Sequence, residues 1–261
     1  MLDKKDIANF AASASKMADT SGELIRTDQQ HAFDIHIKDD GSTVTSVDQA
    51  AEMRIRSIIS ELHPDHGILG EEYGPSAADS EFVWVIDPID GTLPFVAGLP
   101  VFGTLLALLH NGAPVLGVID MPMTRERWIG STCLPTTHNG KTVRTRSCEN
   151  LASAVMSTSN PDFYDETSIP VLKRMQQASR LNVYGGSCMA YGQIASGRID
   201  VGIDVQFDIH DYLPLVPVIS GAGGIISDWN ANTLDINSGD RFIAAGDQRT
   251  HAEALKVLNQ T

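Results

Sequence analysis

The chain has 261 residues, of which 42% are hydrophobic and 20% charged, and carries a formal net charge of −14. That length can bury a large core as one domain or two closely packed halves, and the composition is that of a globular protein. The acidic balance argues against nonspecific binding to nucleic acid or to an anionic membrane surface, and suits a carboxylate-rich site whose charge is cancelled by metal. In chain order, Ile7, Phe10, Ala14 and Met17 recur at helical spacing and predict an amphipathic helix over 3–18. Residues 33–38 alternate like a strand, 39–42 read as a turn, and Thr43-Val44-Thr45 leads into a helix over 49–62 with Ala51, Ile55, Ile58 and Ile59 on one face. Residues 82–86 form an uncharged, β-branched and aromatic run that predicts a buried strand. Apolar runs over 105–109 and 114–119 flank Asn111-Gly112, a strong hairpin signal.

The stretch 132–150 is polar and irregular, with a second hairpin signal at Asn139-Gly140. A boundary is expected there between an N-terminal half, 1–145, and a C-terminal half, 146–261. Beyond it the sequence predicts strands over 152–156, 181–184, 199–203, 224–227 and 242–246, and helices over 170–178, 189–195, 212–221 and 251–258. Alternating strands and helices with hairpins predict a mixed α/β layered domain. Cys133, Cys148 and Cys188 are odd in number, widely spaced and without a C-x-x-C pattern, which predicts free thiols in a reducing compartment. With no signal-peptide h-region after Met1 and no run of eighteen apolar residues, a cytoplasmic location is expected.

Residues 82–96 read F-V-W-V-I-D-P-I-D-G-T-L-P-F-V, and the apolar run stops at Asp87-Pro88-Ile89-Asp90-Gly91-Thr92. Proline fixes one backbone angle and removes a donor, while Gly91 permits a close approach. Asp87 and Asp90 at a strand's end can face one small volume. Like charges held that close need a cation, and hard oxygen ligands favour magnesium. The N–H groups of Gly91 and Thr92 are placed to hold a phosphate oxygen. An ordinary Asp-Pro, Asp-Gly turn gives the same pattern in isolation. The second acidic pair, Glu71-Glu72 in L-G-E-E-Y-G sixteen residues upstream, sets this stretch apart from such a turn.

Together, G-E-E and D-P-I-D-G-T resemble the inositol monophosphatase superfamily, the magnesium-dependent phosphomonoesterases that share a fold with fructose-1,6-bisphosphatase. The resemblance extends from Lys38 to the C-terminal helix. Within the family, Val101-Phe102-Gly103-Thr104-Leu105, Leu116-Gly117-Val118-Ile119-Asp120 and Glu126-Arg127-Trp128-Ile129-Gly130 are most similar to the histidinol-phosphatase branch. The resemblance implies a layered αβαβα sandwich and a homodimer.

It also implies roles, residue by residue. Asp87 and Asp90 would be magnesium ligands, Asp87 bridging two ions, with the Ile89 carbonyl completing the first site. Glu71 matches the family's metal-binding glutamate, and Glu72 supports it or faces solvent. Thr92 would help Glu71 polarise the attacking water; without the motif it would read as a helix cap. Family members have Trp-Asp ahead of a later glycine pair; counting back from Gly221-Ala222-Gly223-Gly224 places Asp211 as the fourth carboxylate. Asp211 can also cap the following helix. Because His210 stands where the tryptophan is expected, Asp208 is the alternative. Lys38 and Asp48 match residues that neutralise charge and orient water, or are a surface residue and a helix cap. Gly185, Gly186, Ser187 and Asp204 match contacts to the alcohol part of the substrate, and Gly91 and Thr92 contacts to phosphate.

The function implied is hydrolysis of a small phosphate monoester by direct attack of water, with two or three magnesium ions bound by carboxylates and one carbonyl. Lithium would inhibit by replacing a weakly held ion. L-Histidinol phosphate is the favoured substrate, because an acidic pocket around Asp204 suits its amine and imidazole. Leu93-Pro94 and Ser187 depart from that branch at the pocket border, so an inositol monophosphatase or a broad-range sugar-phosphate phosphatase is the alternative. A binding regulator built on the same fold is the third reading, and the complete set Glu71, Asp87, Asp90, Thr92 and Asp211 argues against it. No H-E-x-x-H, P-loop or G-x-G-x-x-G pattern is present.

Overall fold

The computed structural model describes residues 2–38 and 41–260. Asp39 and Asp40, half of the expected turn over 39–42, lie outside the described residues. In chain order the elements are α1 (Lys4–Asp28), β1 (Ile35–Ile37), β2 (Thr43–Thr45), α2 (Ser46–Leu62), β3 (Gly67–Gly70), β4 (Gly74–Ser76), β5 (Phe82–Asp90), α3 (Thr92–Val96), β6 (Gly103–His110), β7 (Ala113–Met121), β8 (Glu126–Ser131), β9 (Thr137–His138) and β10 (Lys141–Thr142). They continue with β11 (Val155–Thr158), α4 (Ile169–Ala178), β12 (Leu181–Tyr184), α5 (Ser187–Ala195), β13 (Val201–Asp204), α6 (Ile209–Tyr212), α7 (Leu215–Gly221), β14 (Ile225–Asp228), β15 (Phe242–Ala245) and α8 (Gln248–Leu258).

Strand β5 reads as one continuous apolar run because both of its faces are buried. Trp84 and Ile86 pack with Leu106, Leu108 and Val118 against Ile7, Ala14 and Met17 of α1 and Ile55 and Ile59 of α2. Val83 and Val85 face the other way, with Leu105, Ala107 and Ile119, onto Tyr191 and Ile194 of α5 and Val218 and Ile219 of α7. The same helices are covered from beyond by Phe242 and Ala244 of β15, whereas Ile243 and Ala245 turn to Leu172 and Met175 of α4 and Ala254 and Leu258 of α8. The period-two alternation of side chains thus stacks helix, sheet, helix, sheet, helix, the expected αβαβα sandwich. Each large apolar side chain so buried contributes roughly 1.5–3 kcal/mol. The eight-stranded sheet has the order β10-β9-β8-β7-β6-β5-β3-β4, the five-stranded sheet β12-β11-β13-β15-β14, and β1 and β2 form a separate ribbon.

Three elements differ from expectation for identifiable reasons. The first helix runs on to Asp28 through Thr20, Ser21 and Gly22, residues of poor helix propensity, because Ile25 is buried with Phe95 and Phe102 and Ser21 Oγ lies 3.0 Å from Thr104 Oγ1. The helix expected over 212–221 is two helices: Pro214 interrupts it, and a capping box starts the first at Ile209. The strand expected over 152–156 is a 3-10 turn, Leu151–Ser153, followed by β11. Both expected hairpins form, with Asn111, Gly112, Asn139 and Gly140 all at positive φ.

At one end of the large sheet His63 and His66 stack at 4.6 Å, His66 stacks on Phe82, and Trp84 Nε1 donates to His66 Nδ1 at 3.1 Å. Burial, with His63 adding to it, pushes the His66 pKa down to about 4. A histidine depressed in the folded state stabilises it fully only above the unfolded value, and that stability is lost as pH falls from about 6.5 toward 4. Thermal stability is therefore expected to drop between pH 7 and pH 5 in calorimetry, and His66→Asn to flatten that slope. An unchanged slope in the variant would exclude His66 as its source.

Candidate active site

Strands β3 and β5 run parallel with Gly70 opposite Ile86, and the Glu71 N–H donates to the Ile86 carbonyl at 3.1 Å. The next residues, Glu71 and Asp87, therefore leave the sheet side by side, which joins the two acidic motifs. β5 pairs with β6 through Asp87 with Leu105 and Asp90 with Gly103, three steps against two, which is a β-bulge. In a regular strand residues three apart face opposite sides. The extra residue returns Asp90 to the side of Asp87, and Pro88, which has no N–H to pair, sits inside the bulge. Gly91 follows at φ +88, and a Cβ there would lie 2.7 Å from Ser187 Oγ, so the turn into α3 requires glycine.

Asp211 is brought to the same place by α6, more than a hundred residues further along the chain. A Cβ on Gly117 of β7 would fall 2.0 Å from the Pro214 carbonyl, so the chain between α6 and α7 lies directly against the large sheet. Asp208 is the N-cap of α6: its side chain accepts from the His210 N–H at 2.7 Å, and its own N–H donates to Asp211 Oδ2 at 2.8 Å. The expectation that Asp211 itself caps the helix is thereby corrected, since Asp211 is the reciprocal partner within the first turn. One carboxylate oxygen from each of Asp87, Asp90 and Asp211 lies within 4.8 Å of the others. Asp208 pairs instead with His210 Nδ1 at 2.8 Å.

This cluster is electrostatically uncompensated. Asp87 Oδ1 is buried and has no hydrogen-bond partner among the described residues. Burial, then the charges of Glu71, Asp90, Asp211 and Asp48, push the Asp87 pKa well above the carboxylate range. Burial likewise raises Asp211, with Asp208 and Asp90 adding to it. Burial raises Asp90 too, against the Cys188 N–H that donates to Asp90 Oδ2 at 2.6 Å. A set of hard oxygens with surplus negative charge and an orphaned buried oxygen fits a divalent cation such as magnesium.

The surrounding residues divide sharply. Glu71, Asp87, Ile89, Asp90, Gly91, Thr92 and Asp211 line a cavity of about 550 Å³, together with Gly185 and with Ser187, which lies against Gly91. Lys38 Nζ donates to Glu71 Oε1 at 3.0 Å and to Glu72 Oε1 at 2.8 Å, so it neutralises charge at the site's edge; burial opposes its charge, but the two glutamates outweigh that and raise its pKa. The Glu72 side chain is 4% exposed and does not face solvent. Burial pushes its pKa up to about 7 against the Lys38 hydrogen bond. Asp48 is buried within the α2 capping box, accepting from the Thr45 N–H at 2.9 Å, so a surface role is corrected. Thr92 Oγ1 donates toward Asp48 Oδ1 at 3.4 Å and toward the Ile89 carbonyl at 3.2 Å, which ties Asp48 to the metal turn from behind.

Two residues expected to contact substrate, Gly186 and Asp204, are not among those that line the cavity. Gly186 is the N-cap residue of α5, and a Cβ on it would meet Ala190 Cβ at 3.0 Å rather than the cavity. Asp204 is 1% exposed, and its carboxylate accepts from Thr158 Oγ1, the Ser159 N–H, Ser159 Oγ and Tyr191 OH. These donors enclose the short carboxylate side chain. Sequence reasoning passed over Ser159, Asn160, Phe163, Tyr184, Gln206 and Phe207, which line the cavity. Most follow or end β11, β12 and β13, which run parallel, so their C-terminal ends open on one edge. That edge is where ligands bind in open parallel sheets, and reading strand ends would have found them.

Residues 6–261 match the inositol monophosphatase family. The chain belongs to this family. It is 42% identical over 266 aligned positions to the protein named bifunctional phosphatase IMPL2, chloroplastic, from Arabidopsis thaliana, covering 98% of this chain and 77% of that one. It is 31% identical to the histidinol-phosphatase of Chlorobaculum parvum, covering 89% and 90%. Among solved structures, an inositol monophosphatase from Zymomonas mobilis superposes with a TM-score of 0.88 at 36% identity, covering 97% of this chain and 98% of that one. The chain is accordingly a phosphatase of a metal-dependent family, and the acidic cluster is its candidate centre. No helix among the described residues is long and apolar enough to cross a membrane.

Proposed function

We propose that this phosphatase hydrolyses a small phosphate monoester with magnesium, two or three ions serving the site, and that L-histidinol phosphate is its favoured substrate. The observation that carries the reading is that Glu71, Asp87, Asp90 and Asp211 all line a cavity that no Lys, Arg or His lines among the described residues. Such a cavity has no partner for a second anionic group and favours an alcohol that is cationic. The names carried by two similar proteins, bifunctional phosphatase and histidinol-phosphatase, support it.

Asp87, Asp90, Asp211, Glu71 and the Ile89 carbonyl would hold the magnesium. When bound it supplies positive charge to the phosphoryl oxygens and lowers the pKa of water. The N–H groups of Gly91 and Thr92 receive a phosphate oxygen. Glu71 takes a proton from the attacking water, and Thr92, held by Ile89 and Asp48, orients it. The new bond joins water oxygen to phosphorus, the bond to the alcohol oxygen breaks, and solvent returns a proton to that oxygen. Lys38, paired to Glu71 and Glu72, keeps the glutamates from repelling the incoming phosphate.

Phosphate release measured with magnesium over histidinol phosphate, inositol 1-phosphate, fructose 1,6-bisphosphate and p-nitrophenyl phosphate tests the reading. Highest kcat/KM on histidinol phosphate, no turnover with EDTA and inhibition by millimolar lithium are expected. A preference for inositol 1-phosphate would replace the favoured substrate by the second reading, which the likeness to the Zymomonas structure supports. Cytoplasmic location and a homodimer belong to the same proposal, read by fractionation and light scattering.

A further inference from the structure

Asp204 is buried 1% exposed at the end of β13, yet its hydrogen bonds lead outward to a residue of the cavity wall. Oδ1 accepts from Ser159 Oγ at 2.7 Å, from the Ser159 N–H at 2.8 Å and from Thr158 Oγ1 at 2.8 Å, while Tyr191 OH donates to Oδ2. Burial pushes the Asp204 pKa up to about 6 against these donors, which favour its ionised form. A serine hydroxyl has one proton and two lone pairs. The Ser159 proton is committed to Asp204, so the oxygen has only lone pairs left to offer the cavity, and a charge-assisted bond makes that oxygen more negative. The Ser159 carbonyl is tied as well, accepting from the Gly185 N–H at 2.6 Å, which links the ends of β11 and β12.

We propose that Ser159 is a specificity-determining residue, a hydroxyl that acts only as an acceptor and receives an N–H or O–H donor of the substrate alcohol, with preference for a cationic one. Asp204 is its positioning residue. The buried charge reaches the substrate through Ser159, and the cavity wall gains acceptor character without an exposed carboxylate that would compete for magnesium. The inference rests on the phosphatase reading above and refines how the alcohol part is recognised.

The experiment compares wild type, Ser159→Ala, Ser159→Thr, Asp204→Asn and the double variant, each magnesium-loaded, on histidinol phosphate and on p-nitrophenyl phosphate. The readout is the ratio of the two kcat/KM values, which a general loss of fold or metal does not move. Ser159→Ala is expected to lower that ratio about tenfold, in line with a charge-assisted hydrogen bond, and Ser159→Thr to retain it. Asp204→Asn is expected to lower the ratio by a similar factor in the Ser159 background and to add nothing in the Ser159→Ala background. Equal losses on both esters in Ser159→Ala, or a full Asp204→Asn effect without Ser159, overturns the proposal. If Asp204→Asn fails to fold, as circular dichroism would show, the Ala and Thr variants at Ser159 decide alone. If wild type prefers inositol 1-phosphate, the favoured substrate falls, and the same ratio taken with that ester tests Ser159, because a hydroxyl donor meets the same lone pairs.

Discussion

Replacing Asp87 by Asn is expected to lower kcat/KM by a factor of about a thousand while raising the thermal stability of the magnesium-free protein. The substitution keeps shape and removes one negative charge from a buried cluster. Asp87 is 2% exposed, its Oδ1 has no hydrogen-bond partner among the described residues, and burial with the charges of Glu71, Asp90, Asp211 and Asp48 raises its pKa. A group that resists ionisation in the folded state is one whose charge destabilises that state at neutral pH. Neutralising it is expected to stabilise the metal-free fold, read as a rise in its melting temperature. Magnesium, which stabilises only what it binds, is expected to raise the melting temperature of wild type and much less that of the variant. Loss of positive charge at the phosphoryl oxygens accounts for the activity term. Normal turnover at saturating magnesium, or a metal-free variant less stable than wild type, would sink the assignment of Asp87 as a metal ligand.

The second large effect separates two aspartates three residues apart. Asp211→Asn keeps an oxygen that accepts the Asp208 N–H, bonded at 2.8 Å, and so keeps the capping box. It removes the charge that Asp211 brings within 4.8 Å of Asp87 and Asp90. Activity is expected to fall about a hundredfold or more, with little change in metal-free stability beyond the relief of charge. Asp208→Ala removes the N-cap acceptor for the His210 N–H and the partner of His210 Nδ1. That is expected to cost about 1 kcal/mol of stability, and only a few-fold in activity. Urea melts and kcat/KM on the two variants give the answer together, and the reverse order in activity would make Asp208 the ligand.

Much of the molecule was legible in the sequence because its cause is local. The run over 82–86, the Asn-Gly hairpins and the helix face of Ala51, Ile55 and Ile59 each express a period or a turn geometry that neighbours in sequence dictate. The two acidic motifs that carry Asp87, Asp90 and Glu71 were legible for a related reason: each is a short stretch at a strand end. The tertiary structure alone decided which side each carboxylate faces. The bulge at Pro88 turns Asp90 toward Asp87, and the close approach of Gly117 to Pro214 carries Asp211 across to them. Neither is a property of a local window. Helix α1 continues past Ala18 because Ile25 finds Phe95 and Phe102, contacts made across seventy residues of chain or more. Asp204 shows the limit most clearly. Its sequence position matches a substrate contact, but Tyr191, Thr158 and Ser159 surround its carboxylate, and whether an aspartate meets a substrate or a buried hydroxyl depends on packing that no spacing in the sequence records.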